Sequence, residues 1–124
     1  IAVTLTSADS GAVFSITGTG TITLPVNAPK YNGVNYRFLV SATPGSGHIT
    51  IAAGSAIIFG NVATGEVTTE TGDAPGSATT TGKSNLIFHD SPAAQTGDYV
   101  DMVSDGTNWY ISGMMEKTDA LQTS

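Results

Sequence analysis

The sequence contains no cysteine, which removes disulfide bonds and thiolate metal sites from consideration. A single domain of 124 residues can nevertheless bury roughly two-thirds of the surface that its unfolded chain exposes. Stability must therefore come from core packing or from contacts with partner subunits. The absence of cysteine leaves both oxidising and reducing compartments open.

Positive charge is also scarce. The four cations, Lys30, Arg37, Lys83 and Lys117, are outnumbered by ten carboxylates, and the formal net charge is -6. Because nucleic-acid binding depends on neutralising phosphates with Lys and Arg, we expect no nucleic-acid partner. Charged residues of both signs make up only 11% of the chain, against about 25% in typical soluble domains.

Long apolar runs are missing as well. The longest candidate, Ala56-Ile57-Ile58-Phe59, is the length of a strand, whereas a helix needs about 18 to 20 apolar residues to cross a bilayer. We therefore expect no membrane partner.

Short segments in which apolar residues alternate with Thr and Ser run along most of the chain, as in Val3-Thr4-Leu5-Thr6 and Thr21-Ile22-Thr23-Leu24. Alternation with period two, interrupted by Gly, Asn and Pro, is typical of strands with one buried face. The pattern predicts an all-β fold, either an antiparallel β-sandwich or a jelly-roll-like barrel, in one domain over residues 1–113. Residues 36–41 place Tyr36, Phe38 and Val40 on one face, which predicts a central strand.

The clearest predicted hairpin joins residues 99–103 to 109–112 across Asp105-Gly106, a dipeptide suited to tight turns. Trp109 and Tyr110 are adjacent and so point to opposite faces of their strand. One of them should anchor the core, and the other should lie at a surface or an interface. The sequence does not distinguish the two assignments.

Two segments fall outside this pattern. Residues 60–84 form a long stretch rich in Thr, Gly and Ser, which fits a solvated hairpin excursion, a subunit-contact arm or a surface that meets an outside partner. For residues 114–124 we expect a C-terminal tail with some helical character. This tail is either a loose end or an arm that docks Met114, Met115 and Leu121 onto a neighbour.

The low charge has a consequence for assembly, because exposed strand edges without charges invite pairing with other chains. We therefore expect an oligomer rather than a monomeric sandwich. The candidate interface residues are Trp109, Tyr110, Met114, Met115 and Leu121.

Residues capable of catalysis or metal binding form no recognisable motif. His48 and His89-Asp90 lie in different predicted strands without the short spacing of common metal sites, so we interpret both histidines as strand-end surface residues. Asp98, Asp101 and Asp105 lack the spacing of a calcium loop, and Asp105 is interpreted as a turn residue. An ion bound at a subunit interface stays open as an alternative.

Nucleophilic and nucleotide-binding motifs are missing too. The chain has no Gly-x-Ser-x-Gly elbow, and no helical pattern follows the glycines of Thr17-Gly18-Thr19-Gly20. Its glutamates lie only in the long loop and the tail, so their separation is undefined. We expect neither enzymatic activity nor a cofactor.

Four segments together resemble a β module of tailed-bacteriophage virion proteins. They are Ile22-Thr23-Leu24-Pro25, Gly33-Val34-Asn35-Tyr36-Arg37-Phe38, His48-Ile49-Thr50-Ile51, and Val103-Ser104-Asp105-Gly106-Thr107-Asn108-Trp109-Tyr110-Ile111-Ser112-Gly113. Such modules occur in capsid decoration (cement) proteins and in tail-fibre tips, mostly as trimers. The resemblance leaves out residues 60–84 and those after Gly113.

The resemblance implies a structural role with no catalytic residues to carry over. A fibre needs a long N-terminal shaft, and this sequence enters its first strand almost at once, so we expect a decoration protein unless the chain is part of a longer one. It would be a homotrimer with extended termini, bound to the major capsid protein on the capsid surface after assembly in the host cytoplasm. The alternative is a fibre-tip or carbohydrate-binding module, for which Tyr31, Tyr36, Tyr99, Trp109 and Tyr110 could supply an aromatic platform.

Overall fold

The computed structural model describes residues 2–65 and 77–124, which form two β-sheets and two short 3₁₀ turns, at Ser7–Asp9 and Pro29–Tyr31. The prediction of an all-β fold is confirmed. In chain order the strands are β1 (Ala2–Thr4), β2 (Val13–Ile16), β3 (Gly20–Thr23), β4 (Asn35–Val40), β5 (Ile49–Ala52), β6 (Ile58–Thr64), β7 (Ser77–Lys83), β8 (Asn85–Phe88), β9 (Tyr99–Ser104), β10 (Trp109–Met115) and β11 (Leu121–Thr123).

Successive strands from β1 to β6 alternate between the two sheets. The five-stranded sheet has the order β1-β3-β5-β8-β11, and the six-stranded sheet has the order β2-β4-β9-β10-β6-β7. As a result, strands two apart in sequence become parallel neighbours, as β1 with β3, β3 with β5 and β2 with β4. The strand β6 also lies parallel to β10, whereas the other neighbours are antiparallel.

Both sheets are therefore mixed, and neither closes into a barrel in the described residues, so the expectation of an antiparallel sandwich or barrel is wrong in its strand directions. The physical reason is that alternation of apolar and polar residues identifies only the buried face of a strand. This alternation is the same whether the neighbouring strands are parallel or antiparallel. Most of the Gly- and Asn-containing turns connect strands across the two sheets and do not form hairpins within one sheet.

The core fills the space between the sheets. Tyr36, Phe38 and Val40 of β4 are all at most 1% exposed, and β4 lies between β2 and β9, which confirms the predicted central strand. An aromatic cluster continues from β4 to β10, where the ring of Trp109 stacks on that of Tyr36 with centroids 5.7 Å apart. From the facing sheet, Ile49, Ile51, Leu86 and Phe88 are fully buried.

The predicted hairpin is confirmed as β9 and β10, with Trp109 opposite Ser104 and the turn at residues 105–108 between them. Gly106 in this turn has φ +91°, and a Cβ there would lie 3.0 Å from the Cα of Pro29. Both the backbone conformation and the close approach require glycine at this position. The turn thereby packs against the connection that precedes β4.

The two segments outside the predicted pattern both contribute strands. Within residues 60–84, β6 extends to Thr64 and β7 covers Ser77–Lys83, and the two strands are antiparallel. Residues 66–76 lie outside the described residues, so the three interpretations of this segment stay open. At the C-terminus, β10 continues to Met115 and β11 pairs with β8, so the predicted helical character is wrong. A segment as short as Leu121–Thr123 shows too little alternation to be recognised without its partner strand.

Candidate functional site

The outward faces of the two sheets differ in chemistry. On the five-stranded sheet, Thr21 of β3, Thr50 of β5 and Ile87 of β8 lie in register, and Gln122 of β11 follows them. Most of these side chains carry a hydroxyl or amide group that water can solvate. This face is the Thr-rich, charge-poor surface that the sequence pattern indicated.

The outward face of the six-stranded sheet is more apolar. Val13, Val103, Tyr110 and Met114 are 59%, 43%, 40% and 53% exposed, respectively. Cross-strand register places Val103 beside Tyr110 and Tyr110 beside Phe59, whose ring stacks on that of Tyr110 with centroids 5.8 Å apart. We call the surface formed by Val13, Phe59, Val103, Tyr110 and Met114 the apolar outer face.

An ion pair lies among these apolar side chains. Arg37 donates from Nε to Oδ1 of Asp101 at 2.6 Å and from Nη2 to Oδ2 at 2.8 Å, which is a bidentate geometry. The Arg37 guanidinium also lies over the ring of Tyr99, 4.7 Å from its centroid. The hydrogen bonds to Asp101 raise the pKa of Arg37, so the guanidinium keeps its charge beside the carboxylate. The face thus carries one residue of each charge sign, held together as a pair.

A cleft of about 540 Å³ opens on this face. The outward side chains around it include Val13, Arg37, Asp101, Val103, Tyr110 and Ser112. The two histidines of the chain, His48 and His89, do not line it. The cleft therefore offers apolar contact and a fixed pair of hydrogen-bonding groups, which suits recognition of a partner.

The turn before β10 orients Tyr110. Asp105 accepts hydrogen bonds from the backbone N–H of Asn108 and Thr107 through Oδ1, at 2.7 and 2.8 Å, and from the Tyr110 hydroxyl through Oδ2 at 3.0 Å. The backbone N–H of Asn108 is the largest cause of the lowered pKa of Asp105. The interpretation of Asp105 as a turn residue is confirmed. Its carboxylate also holds the tyrosine ring on the apolar outer face.

The structure divides the five predicted interface residues into two groups. Trp109 and Met115 are 0% exposed and Leu121 is 2% exposed, so these three belong to the core of the chain and not to an accessible surface. Tyr110 and Met114 project outward. Trp109 anchors the core and Tyr110 lies at the surface, which is one of the two assignments that the sequence left open. The alternation along β10 explains the division, because residues 109, 111 and 115 face inward.

Sequence reasoning missed three members of the apolar outer face: Val13, Phe59 and Val103. Val103 could have been identified, because the register of the predicted hairpin places it directly across from Tyr110. Val13 reaches this face through the parallel pairing of β2 with β4, and Phe59 through that of β6 with β10. Neither parallel pairing leaves a mark in local sequence.

A second cluster contains the residues that the sequence separated. His48, His89 and Asp90 bring one potential ligand atom each to within 4.8 Å of one another. The imidazole rings have centroids 4.3 Å apart, and His48 Nδ1 lies 3.1 Å from Oδ1 of Asp90. Burial, followed by the nearby His48, lowers the pKa of His89, while the backbone N–H of Gly47 is the main cause of the lowered pKa of Asp90. Both histidines lie at strand ends, as interpreted, and His48 is exposed, whereas His89 is partly buried. Their separation along the sequence was misleading, because β5 and β8 are neighbours.

Among the described residues no helix is long and apolar enough to cross a membrane. Asp98, the first of the three aspartates considered for calcium binding, is buried and accepts a hydrogen bond from the backbone N–H of Glu116, just after β10. Comparison of the chain with protein-family models, curated proteins and solved structures finds no match in any of the three.

Proposed function

We propose that this chain is a virion structural protein of the capsid-decoration type, which assembles as a trimer and binds the major capsid protein. The observation that carries the proposal is the apolar outer face, on which four apolar side chains project into solvent around a neutral Arg37–Asp101 pair. Exposed apolar groups that share one face and surround compensated charge are characteristic of surfaces that contact another protein.

The strand edges support the self-association part of the proposal. The strands β1, β2 and β11 each lie at an edge of a sheet, and none of the three contains a charged residue. Proteins usually protect such edges with charges, proline or covering segments. Edge pairing or packing between copies would remove these unpaired backbone groups from water.

The capsid partner rests on the sequence resemblance to phage decoration modules. The chemistry of the chain agrees with a passive role, since the cleft on the apolar outer face contains no histidine and the Thr-rich sheet face is solvated. A decoration protein needs rigid complementary surfaces and no reaction centre.

Sedimentation velocity and native mass spectrometry test the assembly. The wild-type chain should sediment as a trimer. In a trimer that buries the apolar outer face as well as the strand edges, Val103→Lys should shift the population towards monomer, because a lysine there places an uncompensated charge in the interface. The matched control is Thr21→Lys, which adds the same charge to the outward face of the other sheet and should leave the trimer intact. A wild-type monomer at every concentration would rule out the trimer.

Quantitative mass spectrometry of purified virions tests the location. A decoration protein should be present in hundreds of copies per particle, in proportion to the major capsid protein. A few copies at the tail would exclude the decoration role and favour the fibre-tip alternative.

The cleft on the apolar outer face favours one alternative function, a receptor-binding tip that recognises carbohydrate. Tyr110 offers an aromatic face next to the paired hydrogen-bonding groups of Arg37 and Asp101, a combination suited to sugar rings. A glycan array would detect such binding, and Tyr110→Ala should abolish it. The buried Trp109 no longer qualifies as part of this platform.

A further inference from the structure

The cluster of His48, His89 and Asp90 lies at one end of the five-stranded sheet, apart from the apolar outer face. His48 immediately precedes β5 and His89 immediately follows β8. Because β5 and β8 are antiparallel, with Ile49 opposite Phe88, the two histidines meet across the strand pair. Asp90 follows His89 and turns back towards the loop that leads into β5. Two chain segments about 40 residues apart thus supply three donor groups to one point.

The distances are close to those of a coordination sphere. Zinc binds nitrogen and oxygen at about 2.0 to 2.2 Å in a tetrahedron, which places neighbouring ligand atoms about 3.3 Å apart. His48 Nδ1 and Asp90 Oδ1 are 3.1 Å apart, so this edge of the tetrahedron is already formed. All three ligand atoms lie within 4.8 Å of one another. A side-chain movement that displaces the ligand nitrogen of His89 by on the order of 1 Å would bring this nitrogen to coordination distance.

Backbone contacts orient the carboxylate. Oδ2 of Asp90 accepts a hydrogen bond from the backbone N–H of Gly47 at 2.6 Å, which leaves Oδ1 directed at His48. In metal sites, a ligating carboxylate is typically held by hydrogen bonds of this kind. The loop before β5 therefore fixes both the imidazole of His48 and the carboxylate beside it.

The ring of His89 has a contact with a neighbouring side chain, a hydrogen bond with Gln122. Its Nε2 is nevertheless buried and meets no hydrogen-bond partner in hydrogen-bonding geometry within the part of the chain that the structure describes. An ion pair between His48 and Asp90 would explain why these two side chains lie together, but it would not give Nε2 of His89 a partner. Burying a polar atom without a partner costs free energy, and coordination of a cation would supply the missing partner.

We propose that His48, His89 and Asp90 bind one divalent transition-metal ion of the zinc type. Two imidazole nitrogens and one carboxylate oxygen form a donor set that such ions accept, with a fourth position open to water or to a group from a partner. The bound ion joins the start of β5 to the end of β8 and the loop after it. It acts as a cross-link in a chain without cysteine.

Isothermal titration of the 124-residue chain without an affinity tag, using ZnCl₂ after removal of bound metal by a chelator, tests the site. We expect one ion per chain, and His48→Gln or His89→Gln should weaken binding at least tenfold. The matched control is Glu116→Gln, which removes an exposed carboxylate outside the cluster and should bind like the wild type. Ca²⁺ and Mg²⁺ prefer oxygen ligands and should not compete.

Cobalt substitution gives an independent readout, because tetrahedral Co²⁺ with nitrogen ligands absorbs strongly in the visible range. The wild-type chain should show this band, and the histidine variants should lack it. If a histidine variant does not fold, as judged by circular dichroism, Asp90→Asn replaces it, since an amide oxygen can still accept from Gly47. The absence of Zn²⁺ binding, or binding that His89→Gln and Asp90→Asn leave unchanged, would overturn the proposal.

Discussion

At the scale of single residues, Tyr36 shows how burial sets a chemical property. Its ring is 1% exposed, and its hydroxyl donates to the backbone oxygen of Thr6 at 2.6 Å. Burial, with a smaller contribution from Asp9, raises the pKa of Tyr36 to about 12. The folded protein therefore holds the neutral phenol at pH values where an unfolded chain ionises it.

The pH dependence of stability follows from this shift. The folded pKa of Tyr36 lies above its ordinary value of 10.0, so the contribution is fully present below about pH 10 and is lost as pH rises towards 12. In urea unfolding series, wild type should lose stability over this range more steeply than Tyr36→Phe. At neutral pH the variant should be about 1 kcal/mol less stable, because the hydrogen bond to Thr6 is gone. Tyr99→Phe, on the outward face, is the matched control.

Asp105 gives the opposite pH dependence. Hydrogen bonds from Asn108, Thr107 and Tyr110 lower its pKa below the ordinary value of 3.8, so its contribution to stability is present above about pH 5 and is lost as pH falls through the folded pKa. Asp105→Asn should therefore lower the urea midpoint at neutral pH. The difference from wild type should shrink in acid. A difference that is the same at both pH values would show that the carboxylate charge does not contribute.

At the scale of strands, Gly60 controls the contact between β6 and β10. It lies at a register shift between β6 and β7, has φ +122°, and a Cβ at this position would overlap the backbone oxygen of Ile111. Gly60→Ala combines backbone strain with overpacking, and we expect a loss of about 2 to 5 kcal/mol in the free energy of unfolding.

Gly45→Ala is the matched control for that substitution. Nothing lies within 4 Å of a Cβ at Gly45, and its φ is in the ordinary range. Because alanine restricts the unfolded chain more than glycine does, this variant should be neutral or more stable by up to about 1 kcal/mol. Chemical denaturation of both variants compares them directly. Equal effects at the two positions would contradict the proposed close approach of β6 and β10.

Asp98 connects the segment that precedes β9 to the end of β10, two elements with no local signal for their contact. It is 5% exposed, and its carboxylate accepts from the backbone N–H of Gln95 at 2.8 Å and of Glu116 at 2.7 Å. Asp98→Ala removes both acceptors and should cost about 2 to 4 kcal/mol. Asp98→Asn retains one acceptor oxygen and should cost less, as thermal or urea unfolding would show. If the two variants were equally stable, the paired backbone contacts would not be the source of the effect.

The same elements show how far sequence reasoning reaches. The alternation of Tyr36, Phe38 and Val40 and the Asp105-Gly106 turn are local signals, so the central strand and the β9–β10 hairpin were predictable. The parallel pairings depend on which distant strand lies alongside, and neither β2 with β4 nor β6 with β10 has a local signature. Two of the five residues of the apolar outer face, Val13 and Phe59, depend on these parallel pairings, and the histidine cluster depends on the long-range antiparallel pairing of β5 with β8. They could not be assigned from spacing along the chain.

At the scale of the whole molecule, the alternation of successive strands between the two sheets makes them one folding unit. The chain passes from one sheet to the other at each step from β1 to β6, and it crosses again before β8, β9 and β11. Neither sheet can therefore be completed while the other is unfolded. The side chains of both sheets form one hydrophobic core.

This arrangement predicts a single unfolding transition, which Leu86→Ala can test through a probe on the opposite sheet. Leu86 is fully buried on β8 of the five-stranded sheet, whereas Trp109, the only tryptophan of the chain, is buried on β10 of the six-stranded sheet. Removing the leucine side chain should cost about 2 to 5 kcal/mol and lower the midpoint seen by Trp109 fluorescence as much as that seen by circular dichroism. Val103→Ala, at a half-exposed position of the other sheet, should shift both midpoints only slightly. A Leu86→Ala protein whose Trp109 signal kept the wild-type midpoint would mean that the two sheets unfold separately, and the shared core would then not be the source of cooperativity.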